Sequence, residues 1–207
     1  MFAQVESGSI TSFPKGNKGI QIGDNNYPRT IYTLWTEAER NAIGIYTVEI
    51  DETNRKDETF YINTDITYAF GSSKVTGSYG TATAKAIADS LYTSQDNTDG
   101  LIPEGKSVGD VKVKGLKTLY KNQFNLQAAG LLAPTDWYVV KATEVSDYSV
   151  PSAITTYRAA VRTKVNAMET AIDGCANVEA LITLLKYTTN DAGVSSRPLG
   201  EFPNEVV

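Results

Sequence analysis

The chain has 207 residues, a hydrophobic fraction of 41% and a formal net charge of −5. That is enough apolar material for a packed core and too much for a wholly disordered chain, and the acidic balance argues against nucleic acid or an anionic lipid surface as a partner. Histidine is absent and Cys175 is the only cysteine, which removes Ser-His-Asp and Cys-His catalysis, the usual zinc and iron ligand sets and any intrachain disulfide.

Met1-Phe2-Ala3-Gln4-Val5-Glu6 has no basic start leading into an apolar run, so no secretory signal is expected. No apolar run approaches about 20 residues, so no membrane span is expected either. Phe2 to Val5 and Ser9 to Phe13 read as two short strands, with Glu6-Ser7-Gly8 as the hairpin turn. Pro14 ends the second strand, and Gly16, Gly19 and Gly23 punctuate a loop running to Asn26. Thr30 to Leu34 is β-prone and is expected to be a strand. Thr36 and Glu39 have capping-box spacing for a brief helix, which Gly44 stops. Ile45 to Ile50 alternates and is β-branched, hence a strand. Asp51 to Glu58 is a solvated charged loop.

Phe60-Tyr61-Ile62 and Ile66 to Phe70 read as the next strands. Lys74 to Ala84 is a further strand or a surface loop, and Ala84 to Tyr92 is weakly helical. Ser94 to Gly109 carries glycines, proline and acids and reads as a linker. The period then changes. Leu116, Leu119, Tyr120, Phe124, Ala128 and Leu131 recur at helical steps until Pro134 interrupts them. Thr135 could cap a helix over Asp136 to Ala142, with a strand as the alternative there. Pro151 opens the longest helix, Ser152 to about Asp173, whose stripe is Ile154, Tyr157, Val161, Val165, Met168 and Ile172. Arg158, Arg162, Lys164 and Glu169 fall off that stripe. Gly174 stops this helix, and Asn177 caps another carrying Val178, Leu181, Ile182 and Leu185. The final residues hold Gly193, Pro198, Gly200 and Pro203 without a period.

The expected fold is therefore α+β. Residues 1–105 form a small β-rich domain with one short helix, 106–189 a helical hairpin or bundle, and 190–207 an extended tail.

No residue is assigned a catalytic, cofactor-binding or metal-ligating role. Gly16-Asn17-Lys18-Gly19-Ile20 has the flavour of a phosphate loop but lacks the Gly-Lys-Ser/Thr ending, and no helix clearly follows. Asp51, Glu52, Asp57 and Glu58, like Asp96-Asn97-Asp99-Gly100, lack calcium-loop spacing. Cys175 sits in an apolar pattern and reads as a small core residue. Carboxylate or lysine chemistry is the enzymatic route left open, and the chain is read as a non-enzyme. What remains concerns packing: Trp137, Tyr138, Tyr157, Val161, Val165, Met168 and Phe202 are the candidate interaction residues. The 12 tyrosines also suit sugar stacking, which keeps a carbohydrate-binding module as an alternative.

Several motifs carry a resemblance. Thr135-Asp136-Trp137-Tyr138-Val139-Val140, then Val150-Pro151, Tyr157-Arg158-Ala159-Ala160-Val161-Arg162 and Asn177-Val178-Glu179-Ala180-Leu181 follow one another in the helical half. Val5, Gly8 and Ile10, then Tyr27-Pro28 and Gly44-Ile45-Tyr46-Thr47-Val48, stand in the first half. In these the chain resembles a group of bacteriophage tail-associated proteins, described as tail-fibre assembly proteins or as tail and baseplate components. The likeness covers about two thirds of the chain, and 60–115 departs from it. It implies a structural role in the virion tail, baseplate or fibre-attachment region after synthesis in the host cytoplasm. Its implied partners are other tail proteins and further copies of itself, as a homo-oligomer. The alternative it leaves is a tail-fibre assembly chaperone absent from the finished particle.

Overall fold

The computed structural model describes residues 1–205. The fold is α+β, with a strand-rich first part followed by helices. The chain divides into two compact units, Met1–Thr83 and a second beginning at Ala84, so the break lies nearer the start than residue 105.

In the first unit the strands are β1 (Phe2–Glu6), β2 (Ser9–Ser12), β3 (Ile20–Ile22), β4 (Asn25–Tyr27), β5 (Ile45–Asp51), β6 (Tyr61–Ile62), β7 (Ile66–Gly71) and β8 (Lys74–Tyr79), with β9 (Thr83–Ala84) at its end. β1 and β2 form the expected hairpin. Ser7 and Gly8 take φ of 50° and 77°, the left-handed pair of a two-residue turn. The main sheet runs β2-β1-β5-β8-β7, antiparallel except for the parallel pair β5/β8. β3 and β4 form a separate hairpin.

Alternation along β1 and β5 buries the sheet on two sides. Ala3, Val5 and Val48 join Val75, flanked by Ile10, Tyr46, Tyr68 and Phe70. On the other side Ile45 meets Ile31 and Tyr32, flanked by Phe2, Tyr27 and Trp35. Ile31 and Tyr32 belong to α1 (Ile31–Leu34), a single helical turn where a strand was expected. Both are buried, at 0% and 7% exposure. Adjacent strand residues point to opposite faces, so covering one patch with both needs the helical turn. α2 (Glu37–Ala42) follows with the full capping box from Thr36 and Glu39.

In the second unit Ala84 to Tyr92 is extended, not helical, and β10 (Ser90–Leu91) pairs with β11 (Val111–Val113). The reason lies in the long helix that opens at Leu116. The carbonyls of Ala86 and Ile87 accept from Leu116 and Lys117, and Asp89 Oδ1 accepts from Gly115 N at 2.7 Å. The segment thus satisfies the free N–H groups at the start of that helix. Gly115 is required there, because a Cβ would stand 2.3 Å from the Ala88 backbone. The expected linker also contains structure: α3 (Ser94–Thr98), with a capping box between Thr93 and Asp96. Asp96 is buried and pairs with Lys112, and its carboxyl is lowered to about 2, first by the Lys112 bond and then by Thr93.

α4 (Leu116–Leu132), α5 (Asp136–Glu144) and α6 (Ser152–Asp173) are the next helices, and α4 and α6 form an antiparallel hairpin. Lys121 meets Asp173 at one end at 2.8 Å, and Arg158 reaches the Leu132 carbonyl at the other at 3.0 Å. The α6 stripe is its inner seam: Ile154, Tyr157, Val161, Val165, Met168 and Ile172 are all buried. α4 supplies Leu116, Phe124 and Ala128. α7 (Val178–Leu185), capped by Asn177, adds Val178 and Leu181.

The residues after 190 are not a free extended tail. Thr188–Thr189 (β12) and Ser195–Ser196 (β13) pair as a small hairpin. Leu199 is then 4% exposed, its N–H donating to the Leu184 carbonyl while its own carbonyl accepts from Lys164. Arg197 lies over the Phe124 and Tyr187 rings and pairs with Glu201. One buried leucine and one stacked arginine anchor this segment without any periodic pattern. Val206 and Val207, the end of the expected tail, lie outside the described residues.

Candidate interaction surface

α4 ends at Leu132, and the Ala133–Thr135 turn of 3₁₀ helix containing Pro134 leads into α5. The helical alternative for this run is the one adopted. Pro134 cannot donate within a continuing α-helix, so the axis changes here. Thr135 does not cap α5. Its hydroxyl instead donates to the Leu132 carbonyl at 2.7 Å and accepts from Arg158 at 2.6 Å.

Arg158 was expected off the α6 stripe and is instead 8% exposed. Its guanidinium donates to the Leu132 carbonyl and Thr135 Oγ1, and reaches Asp136 Oδ1 at 2.8 Å. All three acceptors gather around one guanidinium nitrogen, Nη1, whose charge and two N–H groups serve them together. The arginine therefore ties α6 to the start of α5. Adjacency to Tyr157 was the one clue in the sequence, since a residue beside a buried stripe position shares its edge.

α5 differs from the other long helices in that none of its nine residues is buried. Trp137, Val139 and Val140 are 52%, 42% and 53% exposed. Tyr138 and Ala142, one turn apart, are half-buried. The Trp137 and Tyr138 rings lie 3.8 Å apart at 31°, and Lys141 Nζ sits 4.3 Å from the Tyr148 ring centre. α4 adds Leu119 and Leu126, at 49% and 75% exposure.

The seven predicted interaction residues thus separate. Trp137 and Tyr138 share the outward helix α5. Tyr157, Val161, Val165 and Met168 are spent inside the chain's own helical seam and offer no surface. Phe202 is half-buried and lines a depression of about 550 Å³ with Gln127, Leu131 and Glu205. The surface role of Val139, Val140 and Leu126 was missed, because an apolar run reads as core until a fold shows otherwise.

Among the described residues no group of three or more Cys, Asp or Glu side chains is placed to hold a metal ion, and no helix is long and apolar enough to cross a membrane. Burial pushes the Cys175 thiol above its ordinary value, away from reactivity. Comparison with family models, with curated proteins and with solved structures gives no match to this chain.

Proposed function

We propose that the protein is a structural component that works by docking to other proteins, and that its setting is a bacteriophage tail, at the baseplate or fibre-attachment region. The observation that carries the docking role is α5, a nine-residue helix with no buried residue and with Trp137, Val139 and Val140 facing out. A short helix is marginal in water unless an apolar face is covered. Burying side chains of this kind contributes about 1.5–3 kcal/mol each, and tryptophan is enriched among the anchors of protein interfaces.

The tail setting is supported by the motifs that resemble tail-associated proteins. Asp136-Trp137 opens α5, Tyr157-Arg158 lies in α6, and Asn177-Val178 starts α7. Two of these motifs meet in the Arg158–Asp136 pair. They are consistent with a scaffold built to present α5.

Mass spectrometry of purified virions tests the proposal. A stoichiometric copy number in the particle is expected. Absence from the particle, with the protein abundant in infected cells, overturns the virion role and leaves the assembly chaperone.

A further inference from the structure

α4 has a second face that its own seam does not use. Phe124 and Ala128 are buried against the rest of the helical unit, and Lys117 and Lys121 turn towards α6 to reach Asp173. On the opposite side of the helix stand Leu119, Asn122, Leu126, Ala129 and Ala133, spaced three, four, three and four residues apart. All five are exposed, Leu119 at 49% and Leu126 at 75%. That spacing is the heptad pattern with which one helix packs along another. No residue between Lys121 and Asp136 is charged, whereas the outer face of a surface helix ordinarily carries charge.

Gly130 lies on the same face, inside the helix, where glycine is among the poorest helix formers. A Cβ there would meet nothing within 4 Å, so the chain's own packing does not require the glycine. Close approach of another backbone does. With Ala129 and Ala133 it keeps the C-terminal half of the face low, while Leu119 and Leu126 raise the N-terminal half. Asn122, Asn125 and Leu126 line a hollow of about 360 Å³, and a bond from Asn125 to Glu169 at 2.6 Å holds one wall of it in place.

This face is complementary to itself. Leu126 stands seven residues from both Leu119 and Ala133. Two copies of α4 crossing antiparallel at Leu126 therefore set Leu119 of each over Ala133 of the other, large against small at both ends. The same crossing sets each Leu126 against the hollow beside its counterpart. The pairing buries no charge of the helix, so it carries no desolvated ion. Glu201 and Glu205 border Gly130 in the neighbouring depression, and the antiparallel arrangement keeps them at opposite ends, away from their counterparts. We infer that the outer face of α4 is a two-fold interface with a second copy of this chain, formed by antiparallel packing about Leu126. The inference rests neither on the tail setting nor on the docking role of α5.

Sedimentation equilibrium of the full chain provides the test. The face is only about 21 Å long, which makes the dimer weak, so the series runs up to about 1 mM. The mass rises from 22.4 kDa towards twice that value with concentration. Leu126→Glu, at an exposed position, keeps the urea midpoint of the dilute chain and weakens association by about ten-fold or more. Gly130→Leu raises that midpoint, because leucine is the better helix former, and also weakens association. Loss of pairing in a stabilised chain does not come from misfolding. Under oxidation Leu126→Cys cross-links to itself, while Leu119→Cys cross-links to Ala133→Cys and not to itself. The unchanged chain, whose Cys175 is buried, is the control. A chain that stays monomeric throughout overturns the inference and leaves the face to an unlike protein. So does association that both Leu126→Glu and Gly130→Leu leave unchanged, which would place the self-contact elsewhere. Self-cross-linking of Leu119→Cys overturns it too, because it would make the pairing parallel.

Discussion

α5 and α6 belong to one unit and are joined by one arginine, yet they use apolar residues in opposite ways. α6 turns Ile154, Tyr157, Val161, Val165, Met168 and Ile172 inward, and every one is buried. α5 has Trp137, Val139 and Val140 in nine residues and buries none. Both contain enough apolar side chains for a core, so composition does not separate them. Spacing does. The α6 residues recur at three- and four-residue steps and make one stripe, whereas residues 137 to 140 are consecutive and spread around the α5 axis. A helix of the second kind cannot bury its apolar residues on a single neighbour.

If that contrast is right, the largest stability loss comes from emptying the α6 seam. Met168 is 0% exposed, and Met168→Ala is expected to destabilise the chain by about 2–5 kcal/mol through lost burial and a residual cavity. The urea midpoint reads this directly. A loss below about 1 kcal/mol would mean that the seam relaxes easily and is not the rigid partner in the comparison.

Arg158 tests the link between the two helices. Its contact with Asp136 contributes little by itself, because the Asp136 side chain is 59% exposed and water screens the pair. The bonds to the Leu132 carbonyl and Thr135 are the sheltered ones. Arg158→Met is therefore expected to cost about 1–3 kcal/mol, while Asp136→Asn costs less than about 0.5 kcal/mol. Denaturation midpoints of the two variants check the ratio. Equal losses would show that the ion pair, not the buried bonds, holds the bend.

How much of this was legible in the sequence depended on whether a signal was local or periodic. The Thr36/Glu39 box, the Ser7-Gly8 turn, the α6 stripe and the Asn177 cap are fixed by residues within one or two turns of each other, and all appear where the pattern puts them. The failures are long-range. α1 is helical because two adjacent side chains must cover one sheet face. Residues 84 to 92 are extended because their carbonyls serve α4, more than 20 positions away. Leu199 is held in place by its N–H, which donates to the Leu184 carbonyl of α7, and by its carbonyl, which accepts from Lys164. None of these partners lies inside a window that a periodicity can scan. The candidate surface was half legible for a related reason: Trp137 and Tyr138 stood out by type, while the consecutive spacing in α5 tells that its apolar residues cannot share one seam and not which of them stay exposed.

Acid sensitivity offers a control away from both helices. Asp96 has an ordinary carboxylate value of 3.8 lowered to about 2 by Lys112 and Thr93. A native value below the unfolded one means that the folded state favours the charged carboxylate. Its stabilisation is therefore fully present above about 3.8 and is lost as pH falls towards 2. Asp96→Asn lowers stability at neutral pH and flattens the acid side of the stability profile over that window, measured as urea midpoint against pH. An unchanged acid slope would mean that Asp96 does not hold the 94–109 segment in place.

The smallest stability effect is expected at the most informative residue. Trp137 is 52% exposed, so Trp137→Ala should change unfolding free energy by no more than about 0.5 kcal/mol. Incorporation into virions, or association of the purified chain, should fall sharply, because an anchor removed from an interface costs about 2 kcal/mol or more. The two readouts must diverge for the contrast to hold. A Trp137→Ala chain that unfolds as easily as Met168→Ala would place the indole in the chain's own core, and α5 would then be a second seam and no docking element.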